Sequence, residues 1–162
     1  TTFDWQIDEL PVQGNEHAVD LSLLDGRVHK YTTKNRHAGS MFLLDDQNRP
    51  VRLRHAFASE YLERLALQNE FFGDDIGLEA VGLDGRLHTS QPYREGTHPE
   101  PDEISTHLKK EGFKIRTSPG GDPYYLHPDG ILVADEKPEN WMKDADGRIV
   151  PIDLILVDLR SI

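Results

Sequence analysis

The sequence predicts an α+β protein built mainly of antiparallel hairpins, and three observations carry that expectation. Asp-Gly pairs at positions 25–26 and 84–85 join β-compatible runs, the signature of tight hairpins. Between them, residues 59–72 change to a helical apolar period. Residues 91–101 then concentrate Pro92, Gly96, Pro99 and Pro101, which marks a linker.

Residues 5–44 read as short extended pieces. Gly14, Asn15 and Glu16 make a first turn, and residues 18–24 and 27–32 flank Asp25 and Gly26. A three-stranded meander is expected there, with Lys30 on its third strand. In the helix at 59–72, Tyr61, Leu62, Leu65 and Phe72 fall on one side, and Glu60, Glu63, Arg64 and Gln68 largely on the other. Ser59 is the expected N-cap, with Glu60 and Glu63 favourable in the first turn, and Gly73 ends the helix. A second hairpin, 76–81 with 86–90 around Asp84 and Gly85, completes an order of three strands, one helix and two strands.

Past the linker, Pro101 and Asp102 open a helix to about Glu111, with Ile104, Leu108 and Phe113 facing inward. Residues 124–127 and 131–134 form a hairpin around Pro128, Asp129 and Gly130. A last pair, around 141–143 and 148–157, flanks the turn 144–147. The expected whole is one domain over 1–162: a five-stranded antiparallel sheet with one helix (1–90), a linker (91–101) and a smaller second lobe (102–162).

The chain has 162 residues, 36% hydrophobic and 29% charged, enough for one globular unit with a sizeable core. Lys and Arg number 18 against 29 Asp and Glu, a formal net charge of −11, which repels phosphate backbones and argues against general nucleic-acid binding. There is no Cys, so disulfides, thiolate metal sites and Cys nucleophiles are excluded, and a reducing, cytoplasmic setting is expected. No apolar run approaches the roughly 20 residues that cross a bilayer, and residues 1–10 lack the regions of a signal peptide. No membrane partner is expected. The missing start Met is compatible with a segment of a larger protein. The eight His contain no His-Glu-x-x-His pattern, and the chain has no Walker loop, dinucleotide fingerprint or nucleophile elbow. The turn at 144–147 has Ile155 where a calcium loop needs Glu.

The chemistry-bearing segment is Asp135, Glu136, Lys137, Pro138, Glu139, Asn140, followed by Asp153 between Ile152 and Leu154. An Asp and an Asn five apart on one loop, with an Asp from the next hairpin, can converge as oxygen ligands for Mg²⁺. Asp and Asn beside Pro are also ordinary turn formers, and Glu63 also suits a helix N-terminus. Asp153 is harder to assign to structure alone, because an Asp in an apolar run is costly to bury without a partner.

The same segment resembles the catalytic loop of serine/threonine kinases, Asp-Leu-Lys-Pro-Glu-Asn, departing only at Glu136. Residues 141–153 resemble the hairpin that leads to the kinase magnesium Asp, and the strand order with Lys30 and the Glu-bearing helix is that of a kinase N-lobe. Residues 17–30, 61–75, 89–96 and 131–153 more closely resemble the compact kinase-like domains of polyvalent proteins from phage and conjugative elements. The resemblance implies a compact protein-kinase-like fold with a shortened C-lobe and Mg-ATP held between the lobes. It implies that Asp135 orients or deprotonates an acceptor hydroxyl and that Lys137 steadies the transferring phosphoryl. Asn140 and Asp153 would hold Mg²⁺, Lys30 would contact the α and β phosphates, and Glu63, or else Glu60, would pair with Lys30. Gly14 would help cover the phosphates, and Gln91 and Tyr93 fall where a hinge offers backbone hydrogen bonds to adenine. The acceptor would be a hydroxyl of an unidentified protein or small molecule.

The departures shape the alternatives. Val133 and Ala134 stand where the kinase loop begins His-Arg, and Leu154 and Ile155 follow Asp153 in place of Phe and Gly. The few residues beyond hold no activation segment or peptide-binding helices, and no three-glycine loop covers the phosphates. A pseudokinase, either nucleotide-binding or purely an interaction module, is the alternative expectation; nucleotidyl transfer is a third.

Overall fold

The computed structural model describes residues 12–13, 17–33, 39–134 and 136–162; Gly14 and Asp135 lie outside them. Over these residues the chain is α+β and every strand pairing is antiparallel. The meander forms where the turn chemistry dictates: β1 (Val12–Gln13) pairs with β2 (His17–Asp20), and β2 with β3 (Arg27–Thr32). Gly26 closes the second turn at φ 73°, a left-handed conformation that costs Gly nothing.

The next hairpin, β4 (Ser40–Leu44) with β5 (Pro50–His55), corrects the expected order, which has no element over residues 50–55. Its turn contains no Gly or Pro. Asp45 builds it instead, accepting hydrogen bonds from the Gln47 and Arg49 backbone N–H groups and from the Arg49 guanidinium, a local side-chain turn.

Helix α1 (Ala58–Phe72) begins one residue earlier than expected, with Phe57 rather than Ser59 in the N-cap position. Glu60 does the capping: it accepts the Phe57 N–H at 2.8 Å and pairs with Arg54. Gly73 ends the helix at φ 63°, and Asn69 bridges both backbone groups of Ile76. The expected solvent face is a second correction, since Arg64 and Gln68 are both 1% exposed. The helix lies between two cores and is covered on both sides. Tyr61 and Leu65 pack with Leu87, while Leu67, Phe71 and Phe72 pack into the main core.

β6 (Gly77–Val81) and β7 (Leu87–Pro92) complete a five-stranded sheet of order β1-β2-β3-β7-β6. The linker that follows is tethered rather than free: Thr97 bridges to Lys143. Helix α2 (Pro101–Lys110) starts at Pro101 as the sequence predicts, and buries Ile104 and Leu108 completely. Then come β8 (Lys114–Thr117), β9 (Pro123–Leu126), β10 (Ile131–Ala134), a 3-10 turn over Pro138–Asn140, and the hairpin β11 (Trp141–Lys143) with β12 (Ile149–Pro151).

The expected single strand over 148–157 is in fact two. After β12 the chain bends around the Asn140 carbonyl, which accepts from the Ile152 N–H at 2.7 Å and the Asp153 N–H at 3.4 Å. β13 (Ile155–Asp158) then joins β10, and the second sheet has the order β13-β10-β9-β8. β10 is buried on both faces: Ile131 and Val133 point to the core with Trp141 and Leu154, and Leu132 and Ala134 to a core with Met41, Tyr124 and Val157. Each fully buried aliphatic side chain contributes about 1.5–3 kcal/mol, so these two cores fix the bend that carries Asp153.

Candidate functional site

A cavity of about 740 Å³ separates the five-stranded sheet from the segment carrying the kinase-like loop. Strand alternation builds its first wall. The registers Val19 opposite Lys30 and Val28 opposite Gln91 put these side chains, with His17, on one face. Lys137, Glu139, Asn140, Met142, Ile152 and Asp153 form the facing wall, and Ser40, Leu53, Arg64 and Ile155 also line the cavity.

Six sequence-predicted residues therefore meet in one cleft: Lys30, Gln91, Tyr93, Lys137, Asn140 and Asp153. Glu63 does not join them, and its expected pairing with Lys30 is corrected. It lines a different hollow with Met41, and its carboxylate accepts from the Ser161 hydroxyl at 3.5 Å. Glu60, the other candidate, is held by Arg54. One residue further along the helix turns the side chain by about 100°, so it is Arg64 that enters the cleft.

Arg64 is the anchor of the inner end. Its guanidinium donates to Asp153 Oδ1 at 2.8 Å, to the Leu154 carbonyl at 3.0 Å and to the Ser40 carbonyl at 2.7 Å. The other carboxylate oxygen of Asp153 lies 3.7 Å from His17 Nδ1, and His17 Nε2 shares a hydrogen bond with the Tyr61 hydroxyl at 2.8 Å. Burial pushes the Asp153 carboxyl up. The charges of Lys30, Arg64 and His17, with the Arg64 hydrogen bond, outweigh burial and hold it well below the usual carboxylate range. Asp153 is ionised.

Lys30 is differently placed. Its ammonium donates to the Ile152 carbonyl at 3.3 Å and makes no direct ion pair among the described residues. It is 9% exposed. At the other end of the sheet wall, Gln91 is 4% exposed, and its side-chain amide makes no hydrogen bond to a described residue. Tyr93 requires a correction: its backbone N–H donates to the Gly26 carbonyl at 3.1 Å, so this donor is not offered to a ligand. The Arg94 N–H has no acceptor among the described residues, and the Arg94 guanidinium is tied to Asp74.

The donors for the expected Mg²⁺ are Asn140 and Asp153. One Asp153 oxygen is taken by Arg64, the other faces His17, and its charge is already balanced by Arg64 and Lys30. Among the described residues no three His, Asp or Glu side chains converge as a metal group. Asp153 thus presents one oxygen that Arg64 does not hold, on a side chain that is 24% exposed.

Two residues of the site, Arg64 and His17, are not among its sequence-predicted catalytic, nucleotide or metal residues, and Arg64 is expected on the solvent face of its helix. Arg64 shares an i, i+4 stripe with Gln68, a polar pair beside Tyr61 and Leu65. His17 is two residues before Val19, which alternation places on the Lys30 face. An Asp flanked by apolar residues requires a cation, and Arg64 is the helix residue that supplies one. No family model, no curated protein and no solved structure matches the chain. The cleft defines its class: a partly apolar slot with a cationic inner end.

Proposed function

We propose that the chain is an ATP-binding, kinase-like phosphotransferase that moves the γ-phosphoryl group to a hydroxyl acceptor. The single observation that carries the reading is the convergence of Lys30, Lys137, Asn140 and Asp153 in one cleft whose sheet wall ends in the Gln91–Arg94 edge. In this reading the base would lie between Val19 and Val28 on one side and Met142 and Ile152 on the other, all of which line the cleft. The Tyr93 N–H to Gly26 carbonyl bond makes Arg27 and Pro92 a non-hydrogen-bonded pair, so the Pro92 carbonyl points away from β3. Both residues line the cleft, where that carbonyl and the Arg94 N–H would serve the base as acceptor and donor.

The phosphates would run inward to Lys30, with Lys137 on the facing wall. Phosphoryl transfer asks the protein chiefly for positioning and for cations set against developing negative charge. Asp135, two residues before Lys137 in sequence, takes the acceptor hydroxyl in this reading. Calorimetric titration of ATP into the chain and into Lys30→Met tests the binding half. Intact-mass analysis of candidate acceptors tests transfer, and a nucleotidyl group would show as a different added mass.

A second reading, a pseudokinase that binds nucleotide without transfer, is favoured by one observation: Arg64 occupies Asp153 while Glu63 is turned away from Lys30. Saturable ATP binding with no turnover on any acceptor would select it.

A further inference from the structure

We infer that Asp74 and Gln68 are positioning residues of the cleft, tying the Arg94 edge where the base would meet the chain to the turn that carries Asp153. This rests on the nucleotide-binding reading and says what holds the two ends of that site in register. The Asp74 side chain is 3% exposed. Its Oδ1 accepts from the Arg94 guanidinium at 3.2 Å and from the Asp75 N–H at 2.9 Å, and its Oδ2 accepts from the Gln68 amide at 2.8 Å. Gln68 is buried, and its own amide oxygen accepts from the Leu154 N–H at 3.2 Å. Leu154 follows Asp153 directly and is completely buried. A continuous polar chain thus runs from Arg94 through Asp74 and Gln68 to the residue after Asp153, and both of its ends lie at the cleft wall.

The two ends belong to different parts of the fold. Arg94 follows β7 of the five-stranded sheet, and Asp153 lies between β12 and β13. The last turns of α1 and the residues just past Gly73 bond to both. Hydrogen bonds fix distance and direction, which apolar contact alone leaves looser. Each member of the chain is needed, because an apolar residue at 68 would leave the Leu154 N–H and one Asp74 oxygen unpaired in a buried setting. Asp74 also holds the guanidinium of a side chain that is 34% exposed and lines the cleft. What Arg94 offers a ligand is then its backbone N–H, which has no acceptor among the described residues. Adenine carries an exocyclic amine, a donor, where guanine carries an oxygen, an acceptor. A Pro92 carbonyl held at that position selects adenine, so base preference reports how well the edge is positioned.

The test is calorimetric titration of ATP and of GTP into the unaltered chain and into Asp74→Asn, which keeps the size of the side chain and removes the charge that holds Arg94. The unaltered chain should prefer ATP by about tenfold or more, and Asp74→Asn should bring the two affinities within about threefold of each other. Amide exchange followed by NMR without ligand tests the other end: in Asp74→Asn the Leu154 N–H should speed up about tenfold more than that of Leu132 in β10. Equal affinities in the unaltered chain overturn the inference and leave nucleotide binding standing. So do affinities that fall together in the variant at a constant ratio, the mark of general loosening, or a Leu154 N–H that gains no more than Leu132. No heat and no thermal stabilisation with either nucleotide removes the nucleotide reading and this inference with it. If Asp74→Asn does not fold, Arg94→Gln, which alters the exposed end of the chain, decides by the same ratio.

Discussion

Replacing Arg64 by Met should destabilise the fold by about 3–5 kcal/mol, the range for removing one partner of a buried ion pair. The structure gives the components. The substitution strips Asp153 of its 2.8 Å ion pair and removes the donor to the Leu154 and Ser40 carbonyls; unsatisfied buried polar groups cost about 1–3 kcal/mol each. Met restores most of the lost apolar volume, so a cavity adds little. The Asp153 side chain retains 24% exposure through the cleft, and water reaching it holds the loss toward the lower end. For a chain of this size about 1 kcal/mol corresponds to about 2–4 °C, so the melting temperature should fall by roughly 6–20 °C. Urea unfolding with an unchanged slope is the assay. The double variant Arg64→Met with Asp153→Asn should recover about 1–3 kcal/mol relative to additivity, since neither charge is then orphaned. A loss below about 1 kcal/mol for Arg64→Met, or strict additivity in the double variant, would refute the clamp.

Three further outcomes are expected. Asp153 titrates below its ordinary 3.8 in the fold, as burial is outweighed by its cations, and Glu60 below its ordinary 4.5, chiefly through the Arg54 hydrogen bond. The folded state therefore binds fewer protons than the unfolded one, their stabilisation is complete above about pH 5, and it is lost as the pH falls below; urea midpoints from pH 7 to 3 should drop steeply at the acid end, and Asp153→Asn should flatten the curve. Gly96→Ala should destabilise by about 1–3 kcal/mol, because its Cβ would meet the Lys143 carbonyl oxygen that bonds Thr97; an unchanged melting temperature would show that the linker is not tethered to β11. Gln91→Leu should leave stability nearly unchanged, since its amide bonds no described residue, and should alter the ratio of ATP to GTP affinities. An unchanged ratio in competition titrations would remove Gln91 from base recognition.

The parts of this structure legible in sequence are those set by local rules. The Asp-Gly turns, the proline-opened second helix and the apolar period of residues 59–72 each impose their element, and the five-stranded sheet follows from them. The β4–β5 hairpin was not legible because its turn is organised by the Asp45 side chain rather than by Gly or Pro. The break between β12 and β13 depends on the Asn140 backbone carbonyl, twelve and thirteen residues before the Ile152 and Asp153 N–H groups it accepts, which no local pattern announces. In the cleft, the loop motif and the alternation around Lys30 locate the residues that meet. The helix partner could not be read, because Glu63 and Arg64 are adjacent and which of them turns inward is decided by packing on both sides of α1. Helical periodicity alone assigns Arg64 to the surface, and only the need of Asp153 for a counter-charge argues otherwise.

The most direct test of the central claim, that this cleft is a nucleotide site, is an ATP titration followed by calorimetry in the chain and in Lys30→Met. Saturable one-to-one binding that Lys30→Met loses, in a variant with an unchanged circular dichroism spectrum, is the result the cleft predicts. No heat and no thermal stabilisation at millimolar ATP would contradict it and leave the kinase resemblance as one of sequence texture.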